Sequence, residues 1–478
     1  MNIVSHFLQQ CAKSPEKWAF VEAEQYISYQ QFQARVAKIA TYLQQQSAQG
    51  CCIAIALERG INAASCIYGI LSAGAIYLPL DIKNPAPRLN FIINDAQPKY
   101  IIGLGTAPHW LKANEKWLDL TDILHTTADF HLSDVSASAL AAILYTSGST
   151  GTPKGVALSH SALLNFCHWA QQTFHIDATA RLASLTPFHF DLSIFDLFTS
   201  LAAGASVYFI PAPLTLAPSR LSTWLSDQQI TVWYTVPSIL SFLALKGSLH
   251  DTPLPKLKQL LFAGEVFPSA QLITLTNLLP QTELYNLYGP TETNVCCYWR
   301  IERAQLTTTQ NIPIGKPACQ ASLSINPETQ ELLVNSPSNF SGYWQAGKLH
   351  ALQTSDYPTG DKVSRNAQGE YCYHGRLDRM LKCSGYRVEP AEIEHNINQL
   401  TGIAACAVVG IKDKTSGQRP VAAVVLKPGA DLATSIKPLR QQLAAYMQPC
   451  QFITLANLPV LSNGKTDYQA IQSLFNKP

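Results

Sequence analysis

The chain has 478 residues, 47% hydrophobic and 14% charged, and its 34 basic and 32 acidic side chains leave a formal net charge of +2. It is too long for one ordinary core and too apolar for a disordered chain, so two or three folded domains are expected. The two signs of charge are interspersed, which offers no basic surface to nucleic acid or to an anionic membrane.

The segment MNIVSHFLQQCAKSPEKWAF lacks a basic stretch followed by an apolar one, so no signal peptide is expected. Residues 67–80, the longest nearly apolar run, are too few and too broken by glycine to span a bilayer. Twelve cysteines stand without a C-x-x-C spacing or a paired Cys/His cluster. They predict scattered reduced thiols in a cytoplasmic protein, not a disulfide framework or a zinc site.

Residues 31–46 carry apolar side chains at helical spacing, whereas residues 51–57 are a short run of strand formers. The same alternation recurs at SALLNFCHWAQQTF, ASVYFI, STWLSDQQI, TVWYTV and KLKQLLFAG. Strands separated by helices predict parallel sheets covered on both faces. Near residues 375–400 the pattern changes: a basic, glycine-containing segment leads into the helix signature PAEIEHNINQL. ACAVVGIKD and RPVAAVVLKPG then read as two strands, and SIKPLRQQLAAYM as a helix. The expected architecture is α/β. A large N-terminal domain of parallel or mixed sheets flanked by helices spans residues 1–377, and a small α+β domain of about a hundred residues spans 378–478.

One loop carries most of the chemistry. In LYTSGSTGTPKG, residues 144–155, five small hydroxyl residues and three glycines surround one lysine, directly after the strand-like ALAAILY. Small side chains let backbone N–H groups approach a ligand, and hydroxyls and lysine suit a polyanion such as the phosphates of a nucleotide. A flexible linker has the same composition but needs neither the preceding strand nor the lysine. The segment is not a Walker A loop, because Gly155 follows Lys154.

Four further segments are each weak alone. NLYGPTETN (286–294) offers a tyrosine face for a base, the Thr291 hydroxyl and the Glu292 carboxylate, or is a solvated turn. PTGD (358–361) offers an acid to ribose hydroxyls, and GRLD (375–378) an arginine to ribose or phosphate. SNGKTDY (462–468) sets a lysine on an Asn-Gly turn, where most lysines only solvate a hairpin.

In this order and spacing the segments resemble the adenylate-forming superfamily of acyl-CoA synthetases, luciferases and nonribosomal-peptide adenylation domains, over almost the whole chain. The likeness is strongest to amino-acid adenylation domains. It implies that Thr146, Ser147, Gly148, Ser149, Thr150, Thr152 and Lys154 cradle the β- and γ-phosphates of ATP. By the same resemblance Asn286, Tyr288 and Gly289 bind adenine, Thr291 contacts the α-phosphate, and Glu292 binds Mg²⁺. Asp361 holds the ribose hydroxyls with help from Arg376. Asp378 is the hinge of the small domain, Lys465 contacts the substrate carboxylate during adenylation, and Gly385 lines the path of an incoming thiol.

The resemblance also implies an amino-acid substrate. FHFDLSIFD places Asp191 where such domains pair a carboxylate with the α-amine, although Asp191 also fits as the N-cap of the helix LSIFDLFTSL. Motif matching adds Leu192, Phe195, Ile239, Leu261, Ala263, Leu287, Val295 and Cys296, an apolar wall with no second charge besides Lys465. The set resembles those of stand-alone prolyl-AMP ligases, which implies L-proline and a separate carrier protein bearing phosphopantetheine. A D-alanine–carrier protein ligase is the alternative, disfavoured by alanine at 263, and valine is a third substrate. Free coenzyme A as acceptor and an inactive nucleotide-binding regulator remain further readings. No G-G-x-S acceptor serine, condensation motif or thioesterase elbow is present, so the acyl acceptor is expected in trans.

Overall fold

The computed structural model describes residues 2–111, 116–148, 152–308, 312–413, 417–460 and 466–475. Among these, one large sheet orders eight strands: Lys348–Ala351, Gly342–Gln345, Lys154–Ser159, Leu140–Thr146, Ile76–Pro79, Cys52–Ile55, Tyr100–Gly103 and Trp117–Asp119. From Leu140–Thr146 onward the neighbours run parallel. The strands CIAI and IYLP are buried along their whole length, the pattern of strands covered on both faces.

A second sheet orders nine strands: Lys316–Pro317, Cys297–Arg300, Glu283–Tyr288, Gln259–Phe262, Val232–Thr235, Arg181–Ser184, Ser206–Phe209, Trp18–Glu22 and Gln25–Ser28. Every neighbouring pair from Glu283–Tyr288 to Trp18–Glu22 is parallel. The helix Tyr29–Gln45 begins at a reciprocal cap: the Gln31 N–H donates to the Ser28 hydroxyl (3.2 Å), and the Ser28 N–H donates to the Gln31 side chain (2.9 Å). Its buried stripe of Phe32, Val36, Ile39, Ala40 and Leu43 faces the helix Ile61–Ser72.

Two smaller sheets follow. One pairs Ser322–Ile325, Glu331–Asn335, Tyr357–Arg365 and Tyr371–Arg376 in antiparallel order, with Asp361 directly opposite Arg376. The other joins Tyr386–Val388, Leu381–Cys383, Gly417–Leu426, Ile403–Asp413 and Phe452–Thr454. The helix Pro390–Asn398 packs on it and closes a separate hydrophobic cluster around Leu381, Val388, Ile393, Ile397 and Val408. The chain is thus an α/β protein with a large N-terminal domain and a C-terminal α+β domain.

Two expectations need correction. SIKPLRQQLAAYM is not one helix: Leu432–Ile436 ends before Pro438, Leu439–Gln442 starts after it, and Ala445–Met447 is a 3₁₀ turn. Proline has no N–H and crowds the preceding turn, so the break is local chemistry. LSIFDLFTSL is helical but widens into a π-helix over Phe195–Thr199, where the Ser200 N–H reaches back to the Phe195 carbonyl.

Asp196 lies inside that π-turn, 1% exposed, near the Ser184 hydroxyl but with neither carboxylate oxygen in a well-formed hydrogen bond. Burial pushes its pKa up to about 8, against a weaker pull from the Ser184 hydroxyl and Arg59. Arg59 spends its own donors on the carbonyls of Ser184 and Ile210, at 2.6 Å each. An unfolded aspartate releases its proton near ~3.9. The raised folded value therefore removes stability as pH climbs from ~4 toward ~8. Asp196→Asn should escape that loss. Its melting temperature should gain on the unmutated protein between about pH 5 and about pH 8, reaching on the order of 2 kcal/mol in stability. A constant offset across that range in calorimetry would exclude the buried acid as the cause.

Candidate active site

The hairpin of Leu140–Thr146 and Lys154–Ser159 presents the serine- and glycine-rich loop, with Thr146 opposite Lys154. Ser149 and Thr150 lie outside the described residues, and so does Lys465. At Gly148 an added Cβ would sit 2.1 Å from the Thr152 carbonyl oxygen, so the turn admits only glycine. The Ser147 hydroxyl donates to the Arg387 carbonyl. The Lys154 ammonium lies over the Tyr343 ring, 5.4 Å from its centre.

A cavity of about 120 Å³ opens beside this loop. Thr146, Ser147, Asp191, Leu192, Ala263 and Gly289 line it, together with Thr291, Val295, Asp361, Arg376 and Gly385. Residues far apart in sequence thereby meet around one space. Asn286, Leu287 and Tyr288 line an adjoining cavity with Tyr373 and Lys382.

Asp191 is not a helix cap through its side chain; its carbonyl oxygen receives the Ile194 N–H at 3.0 Å. Burial pushes its carboxyl up to about 6, partly countered by the Thr291 hydroxyl and raised further by Glu292. Phe195, Leu261 and Leu287 belong to the same hydrophobic cluster as Leu192, Ala263 and Val295 but stand behind them. The Phe195 ring meets Tyr234 edge-on at 5.5 Å. Cys296 packs with Tyr288 in a neighbouring cluster. Ile239 departs from expectation: the helix Pro237–Lys246 turns it into the cluster of Leu240 and Leu243, and Tyr234 lines the cavity in that region.

Glu292 is 1% exposed and both its oxygens receive the Arg387 guanidinium, at 3.2 and 3.0 Å. The Tyr343 hydroxyl adds a third bond at 3.0 Å. Burial alone would raise this carboxyl, but Arg387 together with hydrogen bonds from the Glu292 backbone, Tyr343 and Tyr357 holds the group below its ordinary value. Asp361 accepts from Arg376 at 2.8 Å and from the Tyr288 hydroxyl. Arg376 also donates to Asp378 at 2.7 Å, so the expected ribose acid and the expected hinge share one guanidinium.

Several residues at this junction escaped the sequence reading. Arg387 stands two positions beyond Gly385 in a segment already singled out, and its charge was the available signal. Arg88 pairs with Glu392, 304 residues away, with side chains 8% and 6% exposed. Beside them Tyr386 stacks on Tyr446 at 3.7 Å, and Phe190 meets Tyr386 edge-on at 4.6 Å. No local pattern announces such contacts: Arg88 with Glu392 and Phe190 with Tyr386 join the two domains, and Tyr386 with Tyr446 joins segments 60 residues apart.

The fold and this site belong to a known class. The chain is a member of the AMP-binding enzyme family: the AMP-binding enzyme domain matches residues 7–344, and the AMP-binding enzyme C-terminal domain matches residues 392–465. Two similar relatives are each an L-proline–[L-prolyl-carrier protein] ligase. The one from Streptomyces coelicolor is 36% identical over 95% of this chain and 93% of its own. Its counterpart from Pseudomonas fluorescens is 30% identical over 96% of each chain. Among solved structures, an o-succinylbenzoate CoA synthetase from Bacillus subtilis covers 98% of both chains with a TM-score of 0.86 at 19% identity, a likeness of fold.

Removing one partner of a buried ion pair leaves an uncompensated charge, at a cost of about 3–5 kcal/mol. Arg88→Ala should therefore loosen the docked C-terminal domain and speed limited proteolysis between the domains. The double variant Arg88→Met, Glu392→Leu should recover most of the resistance. Equal proteolysis rates for Arg88→Ala and the unmutated protein would show that the pair contributes nothing to docking.

Proposed function

We propose that the chain activates an amino acid, L-proline before others, as aminoacyl-AMP and passes it as a thioester to the phosphopantetheine of a separate carrier protein. The observation that carries this reading is Asp191, a half-buried acid whose desolvated carboxyl lines the cavity with Leu192, Ala263 and Val295, with no ion-paired lysine or arginine among the described residues. A substrate ammonium satisfies such a carboxylate, whereas an aryl or fatty acid would leave it unpaired. Leu192, Ala263 and Val295 offer only apolar surface, which suits the three methylenes of a proline ring. The likeness to two proline–carrier ligases supports the same substrate.

In this reading the loop from Thr146 to Lys154, with Ser149 and Thr150, takes the β- and γ-phosphates of ATP. Asn286, Tyr288 and Gly289 take adenine, Thr291 the α-phosphate, and Asp361 with Arg376 the ribose. Glu292 fits Mg²⁺, a cation held by one or two carboxylates and otherwise by water and phosphate oxygens, because it is a single ionised, buried carboxylate beside the phosphate loop. Bound there, the ion neutralises phosphate charge.

The substrate carboxylate, ionised at neutral pH because its pKa lies near ~3–4, attacks the α-phosphorus without a general base, and pyrophosphate leaves. Lys465 supplies positive charge to the carboxylate and the bridging oxygens. In the second step the thiol passes Gly385, attacks the acyl carbon and releases AMP. Residues 378–478 turn about Asp378 between the two steps. No helix among the described residues is long and apolar enough to cross a membrane. We assign the enzyme to the cytoplasm, where ATP and reduced thiols are available.

The deciding experiment is amino-acid-dependent ATP–pyrophosphate exchange across the proteinogenic amino acids, D-alanine and one aryl acid. L-proline should dominate. Dominance by D-alanine or valine would keep the chemistry and replace the substrate, and no exchange despite ATP binding would favour a regulator. Lys465→Ala should lose exchange while still binding ATP.

Asp191→Asn should lower kcat/KM for the amino acid roughly 10²- to 10³-fold, the cost of removing one member of a buried charge pair. Because the empty-pocket carboxyl sits at about 6, KM for the amino acid should rise as pH falls through that value. A KM that stays flat down to about pH 5 would remove Asp191 from amine recognition.

A further inference from the structure

The turn of the hairpin Leu381–Cys383 and Tyr386–Val388 is pressed into the N-terminal domain. Gly385 (φ +83°) faces Gly264 (φ +93°): a Cβ on Gly385 would lie 2.7 Å from a Val236 methyl, and one on Gly264 would approach the Gly385 backbone to 3.9 Å. Both backbones need glycine, and a side chain on Gly385 would fill the gap between them. Both glycines line the cavity of Asp191 and Thr291, and Gly264 lines a small adjoining cavity with Glu265. Glu265 also lines a cavity of about 720 Å³ with Val266, His374, Lys382 and Gly417. The Asp191 cavity and this larger one share Arg376, Met380 and Lys382.

Glu265 stands at this crossing, 9% exposed. One of its oxygens receives the Ser238 N–H at 2.8 Å, in the first turn of the helix Pro237–Lys246. The other receives the Gly385 N–H from the hairpin. With a further bond from the Ser238 hydroxyl, one of the carboxylate's four lone pairs stays free. Burial pushes the carboxyl up to about 7, opposed by the two N–H donors, the Ser238 hydroxyl and the Lys382 ammonium. Lys382 and the Cys383 thiol face it from the hairpin, the latter raised to about 12 by burial and by Glu265 itself. Gly417 borders it from the neighbouring strand, with Arg419 beyond near Cys383. Nothing in the adenylation step uses this acid.

We propose that Glu265 accepts the proton of the attacking thiol in the transfer step. The proposal rests on the reading above, in which a phosphopantetheine thiol enters past Gly385. The S–H bond breaks and its proton moves to a free lone pair of Glu265. The sulfur forms a bond to the acyl carbon, and the acyl–phosphate C–O bond breaks with its electron pair leaving on AMP. The proton then passes to solvent through the larger cavity. A thiol with a pKa of about 8.5 is mostly protonated at neutral pH. A buried acid close to neutrality is a far better acceptor than an ordinary glutamate, and general-base help is worth roughly 10²- to 10⁴-fold.

The test is single-turnover thioester formation by the full chain with ATP, Mg²⁺ and L-proline, using free 4′-phosphopantetheine as the thiol probe, over a range of pH. For each variant the transfer rate is divided by its own pyrophosphate-exchange rate, which removes any shared loss. Glu265→Gln should lower that ratio about 10²-fold near neutrality, abolish the acidic limb of the profile, and recover as the thiol ionises unaided. Glu265→Asp should keep the limb at an intermediate rate, which guards against a folding defect in the amide. A Glu265→Gln ratio that retains the unmutated rate and limb overturns the proposal. So does a loss that is constant with pH and confined to KM for the thiol, which would make Glu265 a seat for the hairpin only. Absence of proline-dependent exchange in the unmutated protein would instead overturn the function reading on which the proposal rests.

Discussion

Buried carboxylates at the junction of the two domains set the terms for everything else in this structure. Glu292, Asp361, Glu265 and Glu392 are all nearly inaccessible, and a buried ionised acid is costly unless donors or cations reach it. Arg387 from the C-terminal hairpin reaches Glu292, the Gly385 N–H reaches Glu265, and Arg88 from the N-terminal side reaches Glu392. Docking of the small domain is therefore largely an act of charge satisfaction. Asp191 is the exception: a hydroxyl, not a cation, is its named side-chain partner, and burial leaves it close to protonation. An acid in that condition is stabilised by a ligand that brings its own positive charge.

Glu292 carries a second consequence of the same constraint. Its oxygens are both turned to the Arg387 guanidinium, and the Mg²⁺ assigned to it would need those same oxygens. Two cations cannot share so small and dry a space without strong repulsion. The arrangement with the hairpin docked and a nucleotide-loaded arrangement thus compete for one carboxylate. The Arg376 guanidinium ties Asp361, expected to hold the ribose, to Asp378, expected to be the hinge, through one side chain.

How much of this could be read from the chain follows from the range of each interaction. The helix Tyr29–Gln45 was legible because its cap and its apolar stripe are both local. The strands Cys52–Ile55 and Val232–Thr235 were legible as short apolar runs. The loop Thr146–Lys154, Asp191, Thr291 and Asp361 were singled out through the order of their motifs, and the fold gathers Thr146, Ser147, Asp191, Thr291 and Asp361 around one cavity. The break at Pro438 was written in the sequence and was overridden there by helical periodicity. The π-turn at Phe195 has no sequence period distinct from an α-helix, and Ile239 packs against the cluster of Leu240 and Leu243. Contacts such as Arg88 with Glu392 and Glu265 with Gly385 depend on docking alone, across 304 and 120 residues.

The apolar end of the site obeys a different logic from the charged end. Leu192, Ala263 and Val295 face the cavity, while Phe195, Leu261 and Leu287 stand behind them in one continuous hydrophobic cluster. Close packing transmits a change of one methylene, so Phe195 and Leu261 help to fix the position of the front layer. Phe195 is held from behind by the rings of Phe174 and Tyr234, at 6.3 and 5.5 Å, and from below by the π-turn that it begins. Pocket shape therefore depends on the same irregular turn that buries Asp196.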